Sequence, residues 1–103
     1  MATGILGQSA PAAATNTTVY TVPAATTATF NVSVCNTGSV PANVRVAISA
    51  TSTPSSSEWI EYNANVLAYG VLERTGLVAQ ATKNVVVYSD LATVAVSVYG
   101  YEA

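Results

Sequence analysis

The sequence contains no histidine and only one cysteine. Without histidine, the nucleophile–base pairs that hydrolases commonly use cannot be assembled. Cys35 cannot form an internal disulfide, and one thiolate without imidazole ligands does not make a zinc site of the usual kind. These absences predict a chain with no catalytic residue, no metal and no cofactor.

Charged residues are also scarce, at 8% of the 103 residues, whereas an average soluble domain carries roughly 25%. The three bases, Arg45, Arg74 and Lys83, lie far apart in the sequence. This spacing argues against nucleic acid as a partner, because polyanion binding needs clustered cations. A surface made mostly of Ser, Thr, Asn and Ala costs little to dehydrate, so it suits burial against other proteins. The alternative is a neutral, Thr-rich β-protein that stays monomeric.

Long apolar runs are missing as well. No stretch approaches the ~20 residues of a membrane span, so no membrane partner is predicted. Residues 1–11 have no basic residue ahead of an apolar core, which argues against a secretory signal. We therefore expect synthesis in the cytoplasm, where a single free cysteine stays reduced.

The remaining titratable groups do not predict a reaction centre. Glu58 and Glu61 are the only close pair of carboxylates, and residues three apart on a strand face opposite sides. No acidic loop cluster suggests calcium, and no glycine-rich loop suggests phosphate. Cys35 lies on the polar phase of a predicted strand and is interpreted as a small buried residue, with a reactive thiol as the alternative. An enzyme, such as a glycosidase with distant acids, is the least favoured class.

Period-two alternation of apolar and polar residues predicts strands over 28–34, 43–50 and 93–99. The residues expected to face the core are Ala28, Phe30, Val32, Val34, Val44, Val46, Ile48, Ala50, Val94, Val96 and Val98. Less regular strands are predicted over 17–22, 58–62, 71–74 and 84–88, with a turn at Thr75-Gly76 ending the third of these. Strand 84–88 is apolar on both faces, which indicates the middle of a sheet or contact with a partner.

Turn signals at 36–39 and 80–83, and longer connections over 51–57 and 63–70, separate these segments. Seven or eight short strands predict an all-β fold, an antiparallel β-sandwich, with an extended N-terminal arm. The sandwich domain is assigned to residues 16–103. Residues 1–15 are either the arm or a first edge strand, and Ile5 and Leu6 need cover in both cases.

Large apolar and aromatic side chains outside the predicted core are the candidates for a protein interface. They are Ile5, Leu6, Trp59, Tyr62, Tyr69, Tyr99 and Tyr101. The aromatic members are equally compatible with lids over the core or with platforms that stack on sugars. These alternatives remain open at the level of sequence.

The sequence also resembles small structural proteins encoded in the genomes of tailed bacteriophages. The segments that carry the resemblance are Gly7-Gln8-Ser9-Ala10-Pro11, Val19-Tyr20-Thr21-Val22-Pro23, Val34-Cys35-Asn36-Thr37-Gly38, Val44-Arg45-Val46-Ala47-Ile48, Glu61-Tyr62, Gly70-Val71-Leu72-Glu73-Arg74-Thr75-Gly76 and Val98-Tyr99-Gly100-Tyr101-Glu102. Their order and spacing carry the resemblance, since no single segment is diagnostic. One departure is Thr37, where a basic residue often follows the Cys-Asn pair.

The resemblance implies a virion component of a phage that infects cyanobacteria or other aquatic bacteria. Within that class we expect a capsid decoration (cement) protein on the outer capsid surface, made in the host cytoplasm. Its expected partners are the major capsid protein and further copies of itself, arranged as a trimer. The alternatives are a tail, neck or fibre-base component of the virion, and a carbohydrate-binding β-sandwich for host recognition. Deleting residues 1–11 is expected to leave the sandwich folded and to weaken particle binding.

Overall fold

Eight strands account for most of the chain in the computed structural model, which describes residues 2–103. They are β1 (Thr3–Ser9), β2 (Thr17–Thr21), β3 (Ala28–Asn36), β4 (Ala42–Ser49), β5 (Trp59–Val66), β6 (Val71–Ala79), β7 (Asn84–Ser89) and β8 (Val94–Glu102). Val and Thr are abundant in these segments, and β-branched residues pack well on a pleated surface. Residues 2–103 contain no helix, and so none that is long and apolar enough to cross a membrane.

The strands form two antiparallel four-stranded sheets. The first sheet has the order β1-β8-β3-β6, and the second has the order β2-β7-β4-β5. Apart from the β4–β5 hairpin, every connection passes from one sheet to the other. This strand order is that of a jelly roll, a double-sheet form of β-sandwich. The predicted all-β sandwich is therefore confirmed.

The core lies between the two sheets and consists mainly of valine. Its fully buried side chains are Phe30, Val22, Val32, Val34, Val44, Val46, Val85, Val87, Val94, Val96 and Val98. The strand phases predicted for β3, β4 and β8 are correct, except that Ala50 lies in a loop and is exposed. Strand β7 lies between β2 and β4, which explains why Val85, Val86 and Val87 are all buried.

The N-terminal segment is an edge strand and not an extended arm. Residues of β1 pair with β8 along the whole strand, for example Thr3 with Tyr101 and Ser9 with Val96. Leu6 lies at a bulge in β1 and packs against the core. The expected extended arm is therefore not seen, and the sandwich includes residues that the sequence analysis placed before position 16.

Two predictions about β5 and β6 are wrong. Residues 63–66, expected to be part of a loop, continue β5, and the connection is the short turn 67–70. Thr75 and Gly76 do not end β6 but form a bulge within it, opposite Asn31. Gly76 has a positive φ of 69°, and its N–H donates to Asn31 Oδ1 at 3.0 Å. A glycine in this conformation is typical of a bulge as well as of a turn.

Hydrogen-bonded side chains close both open sides of the sandwich. On one side, Arg74 of β6 and Glu61 of β5 form an ion pair with 2.5 Å between the nitrogen and oxygen atoms. On the other, the Tyr20 hydroxyl of β2 donates to a carboxylate oxygen of Glu102 at the end of β8. Burial and the bond to Glu102 raise the pKa of Tyr20 well above its usual value. Inward-pointing charges of this kind also protect sheet edges from pairing with other chains.

Candidate functional site: the two outer sheet faces

The outer face of the first sheet is almost free of charge. Strand register places these side chains on it: Thr3, Ile5, Gln8, Thr29, Asn31, Ser33, Cys35, Val71, Glu73, Val78, Ala95, Ser97, Tyr99 and Tyr101. Glu73 is its only charged member. Ile5 and Tyr101 are 56% and 51% exposed, so this face presents apolar surface to its surroundings. We call it the neutral face.

Even the one charge of the neutral face is hydrogen-bonded. The Tyr99 hydroxyl on β8 donates to Glu73 Oε2 on β6 at 2.6 Å. That bond raises the pKa of the Tyr99 phenol, so the proton stays on the tyrosine. Gln8 Nε2 likewise donates to Ser97 Oγ, 3.2 Å away. Polar groups on this face are therefore partly matched to each other before any partner arrives.

Cys35 lies on the neutral face between Val71 of β6 and Ala95 of β8. Its position on the outward phase of β3 agrees with the sequence analysis. The side chain is a free thiol and is half-buried, whereas the sequence analysis expected it to be buried. It thus contributes part of the surface of this face.

The outer face of the second sheet carries a cluster of three aromatic rings around one arginine. Arg45 on β4 pairs in register with Tyr88 on the central strand β7. On the other side of β4, the bulge in β5 places Tyr62 and Asn63 opposite Arg45. Trp59 lies at the start of β5, before Tyr62, and is in register with Ala47. We call Arg45, Trp59, Tyr62 and Tyr88 the aromatic cluster.

The guanidinium of Arg45 is held between two tyrosine rings. Its central carbon lies 4.3 Å from the centroid of the Tyr62 ring and 4.4 Å from that of Tyr88. Arg45 Nε also donates to Asn63 Oδ1 at 2.7 Å. The two ring contacts are favourable because the ring quadrupole attracts a cation, and together with the bond to Asn63 they fix the position of the group.

Trp59 extends the cluster away from the arginine. Its ring meets the Tyr62 ring edge to face, with centroids 5.6 Å apart and 73° between the planes. Ala47 and Val86, which point outward beside these rings, are fully buried although they lie outside the core between the sheets. The cluster therefore excludes water from the middle of the second outer face.

A shallow, open groove of about 420 Å³ lies beside the cluster, lined by Ser56, Trp59 and Tyr62. The side chain of Tyr62 is 58% exposed. Within residues 2–103, no hydrogen-bond partner is found for the Tyr62 hydroxyl, the Trp59 indole N–H or the Ser56 hydroxyl. The groove thus combines apolar ring surface with three free polar groups, which is typical of small ligand sites.

The wall that carries Ser56 is an ordered loop. Glu58 accepts hydrogen bonds from the backbone N–H groups of Ser55 and Ala50 and from the Ser49 hydroxyl. These bonds, with the Ser55 N–H contributing most, lower the pKa of Glu58 from 4.5 to about 2. The loop over 50–58 is therefore held in shape by one carboxylate at its end.

A third apolar region lies at one end of the sandwich. Leu67, Tyr69, Val71 and Val40 are each more than half exposed there, and Tyr69 reaches 73%. The Tyr69 N–H donates to the Gly38 carbonyl, which joins the turn 67–70 to the β3–β4 loop.

The predicted interface residues therefore do not form one surface. Ile5, Tyr99 and Tyr101 share the neutral face, whereas Trp59 and Tyr62 share the aromatic cluster. Tyr69 lies at the end of the sandwich, and Leu6 contributes to the core. Sequence analysis missed Arg45 and Tyr88 as members of the cluster. The available signal was that each lies on the outward phase of a strand with a fully apolar opposite face.

Glu58 and Glu61 do not converge, as predicted, but the reason differs from the predicted strand phase, because Glu58 lies in the loop before β5. Glu58 binds the 50–58 loop, while Glu61 pairs with Arg74. Over the described range 2–103, no group of three or more Asp, Glu or Cys side chains could hold a metal ion. No protein-family model, curated protein or solved structure matches this chain. Its function must therefore be argued from its own surfaces.

Proposed function

We propose that this protein is a non-enzymatic structural subunit that docks through its neutral face onto other protein surfaces, most specifically as a decoration protein of a phage capsid. The observation that supports this proposal is a broad sheet face with a single, already hydrogen-bonded carboxylate. Burial of ionised groups costs several kcal/mol for each ion, whereas hydroxyl, amide and alanine side chains cost far less. Such a face is suited to contact with protein.

The pattern of exposure also favours assembly. A monomeric protein normally uses a charged surface to stay apart from its neighbours. Here the chain has only three bases and five acids, with a net charge of −2, so little charge opposes association. Interface cores are depleted in charged residues and enriched in tyrosine, and the neutral face has both properties.

Fold and sequence provide two further arguments for a virion role. Jelly rolls are common in viral capsid and lectin domains, although a fold alone does not assign a function. The resemblance to small phage structural proteins points to the same role. On this proposal the protein binds the major capsid protein on the outer surface of the virion, with copies of itself as neighbours in a trimer.

A charge placed on the neutral face tests the proposal. Ala95 is exposed there and its side chain has no polar group, so Ala95→Lys should fold normally but bind poorly. Thr18→Lys places the same charge on the second outer face, at an exposed edge-strand position, and serves as the control. Binding is measured by co-sedimentation with particles from a phage deleted for the gene. Equal binding of both variants would overturn the use of this face.

Copy number separates the decoration role from other virion roles. Quantitative mass spectrometry of purified particles should find on the order of hundreds of copies if the protein covers the capsid. Six or twelve copies would instead indicate a neck, tail or fibre-base component. Absence from the particles would remove the virion proposal.

A second candidate function is saccharide binding, and the groove beside the aromatic cluster favours it. Exposed aromatic rings provide flat apolar surface on which the C–H face of a sugar packs, while the free polar groups of Ser56, Trp59 and Tyr62 provide hydrogen bonds. A glycan array tests this function. Selective binding that is lost in Trp59→Ala would support it, and binding by Trp59→Ala at the original strength would overturn it.

A further inference from the structure

We propose that the groove takes an acidic saccharide, one that carries a carboxylate on its ring, and that Arg45 binds this carboxylate. The inference rests on the second candidate function, saccharide binding, and specifies its ligand. Three observations support it. The Arg45 guanidinium is held in place without an ion-pair partner among residues 2–103, and each side-chain carboxylate of the chain accepts a hydrogen bond from another residue. The groove lies beside Arg45, with Tyr62 common to both.

Three side chains contact the guanidinium of Arg45. Its central carbon lies 4.3 Å from the Tyr62 ring centroid on the β5 side and 4.4 Å from that of Tyr88 on the β7 side, and Asn63 accepts from Nε at 2.7 Å. The N–H groups of the two terminal nitrogens remain. Such an edge matches a carboxylate, which accepts two parallel hydrogen bonds from it.

No carboxylate of the protein satisfies this edge. The five side-chain carboxylates accept hydrogen bonds elsewhere: Glu58 from Ser49, Glu61 from Arg74, Glu73 from Tyr99, Asp90 from Asn43 and Glu102 from Tyr20. Within residues 2–103 the single ion pair is that of Arg74 with Glu61. Arg45 is therefore a pre-oriented cation without an ion-pair partner among residues 2–103.

The groove explains why the anion belongs to a sugar. Tyr62 both lines the groove and stacks on Arg45, so one ring separates the apolar wall from the cation. A saccharide ring packed against Trp59 and Tyr62 can direct a carboxylate past the edge of Tyr62 towards Arg45. Fixing the arginine in advance favours binding because little side-chain entropy is then lost.

The experiment uses Trp59 as the reporter, since it is the only tryptophan of the chain and lines the groove. Its fluorescence is titrated with oligogalacturonate, with the methyl ester of the same oligosaccharide, and with oligo-glutamate. The ester keeps the sugar rings and removes the charge, whereas oligo-glutamate keeps the charge and removes the rings. We expect binding of oligogalacturonate at least tenfold tighter than binding of the other two probes.

Two substitutions assign the effect to Arg45. Arg45→Gln should weaken oligogalacturonate binding about tenfold to a hundredfold, as loss of a charged hydrogen-bonded pair does. Arg45→Lys keeps the charge without the planar fork and should give an intermediate loss. Lys83→Gln removes one positive charge from the turn 80–83 and should bind like the wild type. Thermal unfolding of each variant shows that the fold is retained.

The outcomes separate this inference from the function on which it rests. If the acid and its methyl ester bind equally and Arg45→Gln changes neither, saccharide binding stands and the acidic specificity is overturned. If only oligo-glutamate binds, the site recognises protein, and both statements are wrong. If no probe changes the fluorescence of Trp59 and calorimetry shows no heat of binding, both are wrong again.

Discussion

Tyr99 and Glu73 meet across an intervening strand: the hydroxyl on β8 donates to the carboxylate on β6 at 2.6 Å, above β3. The bond keeps the only charge of the neutral face in place. It also means that two outer positions of the sheet are matched before any contact forms. Loss of the hydroxyl should therefore affect docking more than stability.

Tyr99→Phe tests this separation. Because the bond is exposed, its removal should change the free energy of unfolding by less than about 1 kcal/mol in urea denaturation. Particle binding should weaken, since the ionised Glu73 carboxylate would enter the interface without its hydrogen bond from Tyr99 unless it found a new partner. Tyr101→Phe is the matched control, as no hydrogen bond of the Tyr101 hydroxyl is found among residues 2–103. Similar binding of the two variants would contradict the role of the bond.

Adjacent positions on β8 should respond oppositely to the same substitution. Val96 is 1% exposed in the core, whereas Ala95 is exposed on the neutral face. Val96→Asp buries an unpaired charge and should unfold a domain whose total stability is about 5–15 kcal/mol. Ala95→Asp should remain folded. Circular dichroism and thermal melting compare them, and a stable Val96→Asp protein would disprove the strand phase.

Glycine is required at position 100 by close contact between β8 and β3. A Cβ there would lie 2.1 Å from the Thr29 carbonyl oxygen and 2.7 Å from Phe30 Cα, and φ is 155°. Gly100→Ala should therefore cost at least about 2 kcal/mol, because backbone atoms must move. Gly76→Asn is the comparison, since that site is open and asparagine adopts its positive φ readily. Equal melting temperatures would contradict the close approach of these two strands.

The pH dependence of stability should show the contribution that the Glu58 carboxylate makes to the folded state. Its pKa is lowered from 4.5 to about 2 in the folded protein by hydrogen bonds from Ser55, Ala50 and Ser49. A lowered pKa stabilises the fold above pH 4.5, and this contribution is lost as the pH falls from 4.5 towards 2. In Glu58→Gln the urea midpoint should fall less steeply over that window. Parallel curves for the two proteins would show that the bonds do not stabilise the fold.

Deleting an extended arm would leave the sandwich folded. Because β1 is an edge strand of the first sheet, removal of residues 2–9 is instead expected to destabilise the sandwich. The deletion removes β1 and exposes the edge of β8, so the melting temperature should fall and the protein should aggregate. Differential scanning calorimetry and size-exclusion chromatography measure both effects. A truncated protein as stable and monodisperse as the full chain would show that β1 contributes nothing to the fold.

Much of the fold was predictable because most strands alternate cleanly. In β3, Phe30 and its neighbours at even positions are buried while Asn31 and Ser33 face outward, and period two reports that directly. The exceptions have local causes. The polar sequence Asn63-Ala64-Asn65 led to the prediction of a loop, although these residues belong to the second half of β5, at a sheet edge. Thr75-Gly76 has the composition of a turn, and only pairing with Asn31 shows that it is a bulge.

The aromatic cluster was only half predictable. Trp59 and Tyr62 are conspicuous because they are large and close in sequence. Arg45 and Tyr88 join them only because β4 lies between β5 and β7 in the second sheet. Strand order depends on contacts between distant segments, which local pattern does not report. The same reason explains why Tyr69, another exposed aromatic residue, is not part of the cluster.

The strand order also has a consequence for biosynthesis. The two central strands that join each sheet into one unit, β7 and β8, are synthesised after the other six strands. Until then β2 has no neighbour to pair with, and neither does β1, whose Ile5 must wait for Tyr99. Chains dominated by such distant pairings fold slowly, and their unpaired edges are open to aggregation. Both sheets therefore remain incomplete during synthesis until residues 84–102 have been added.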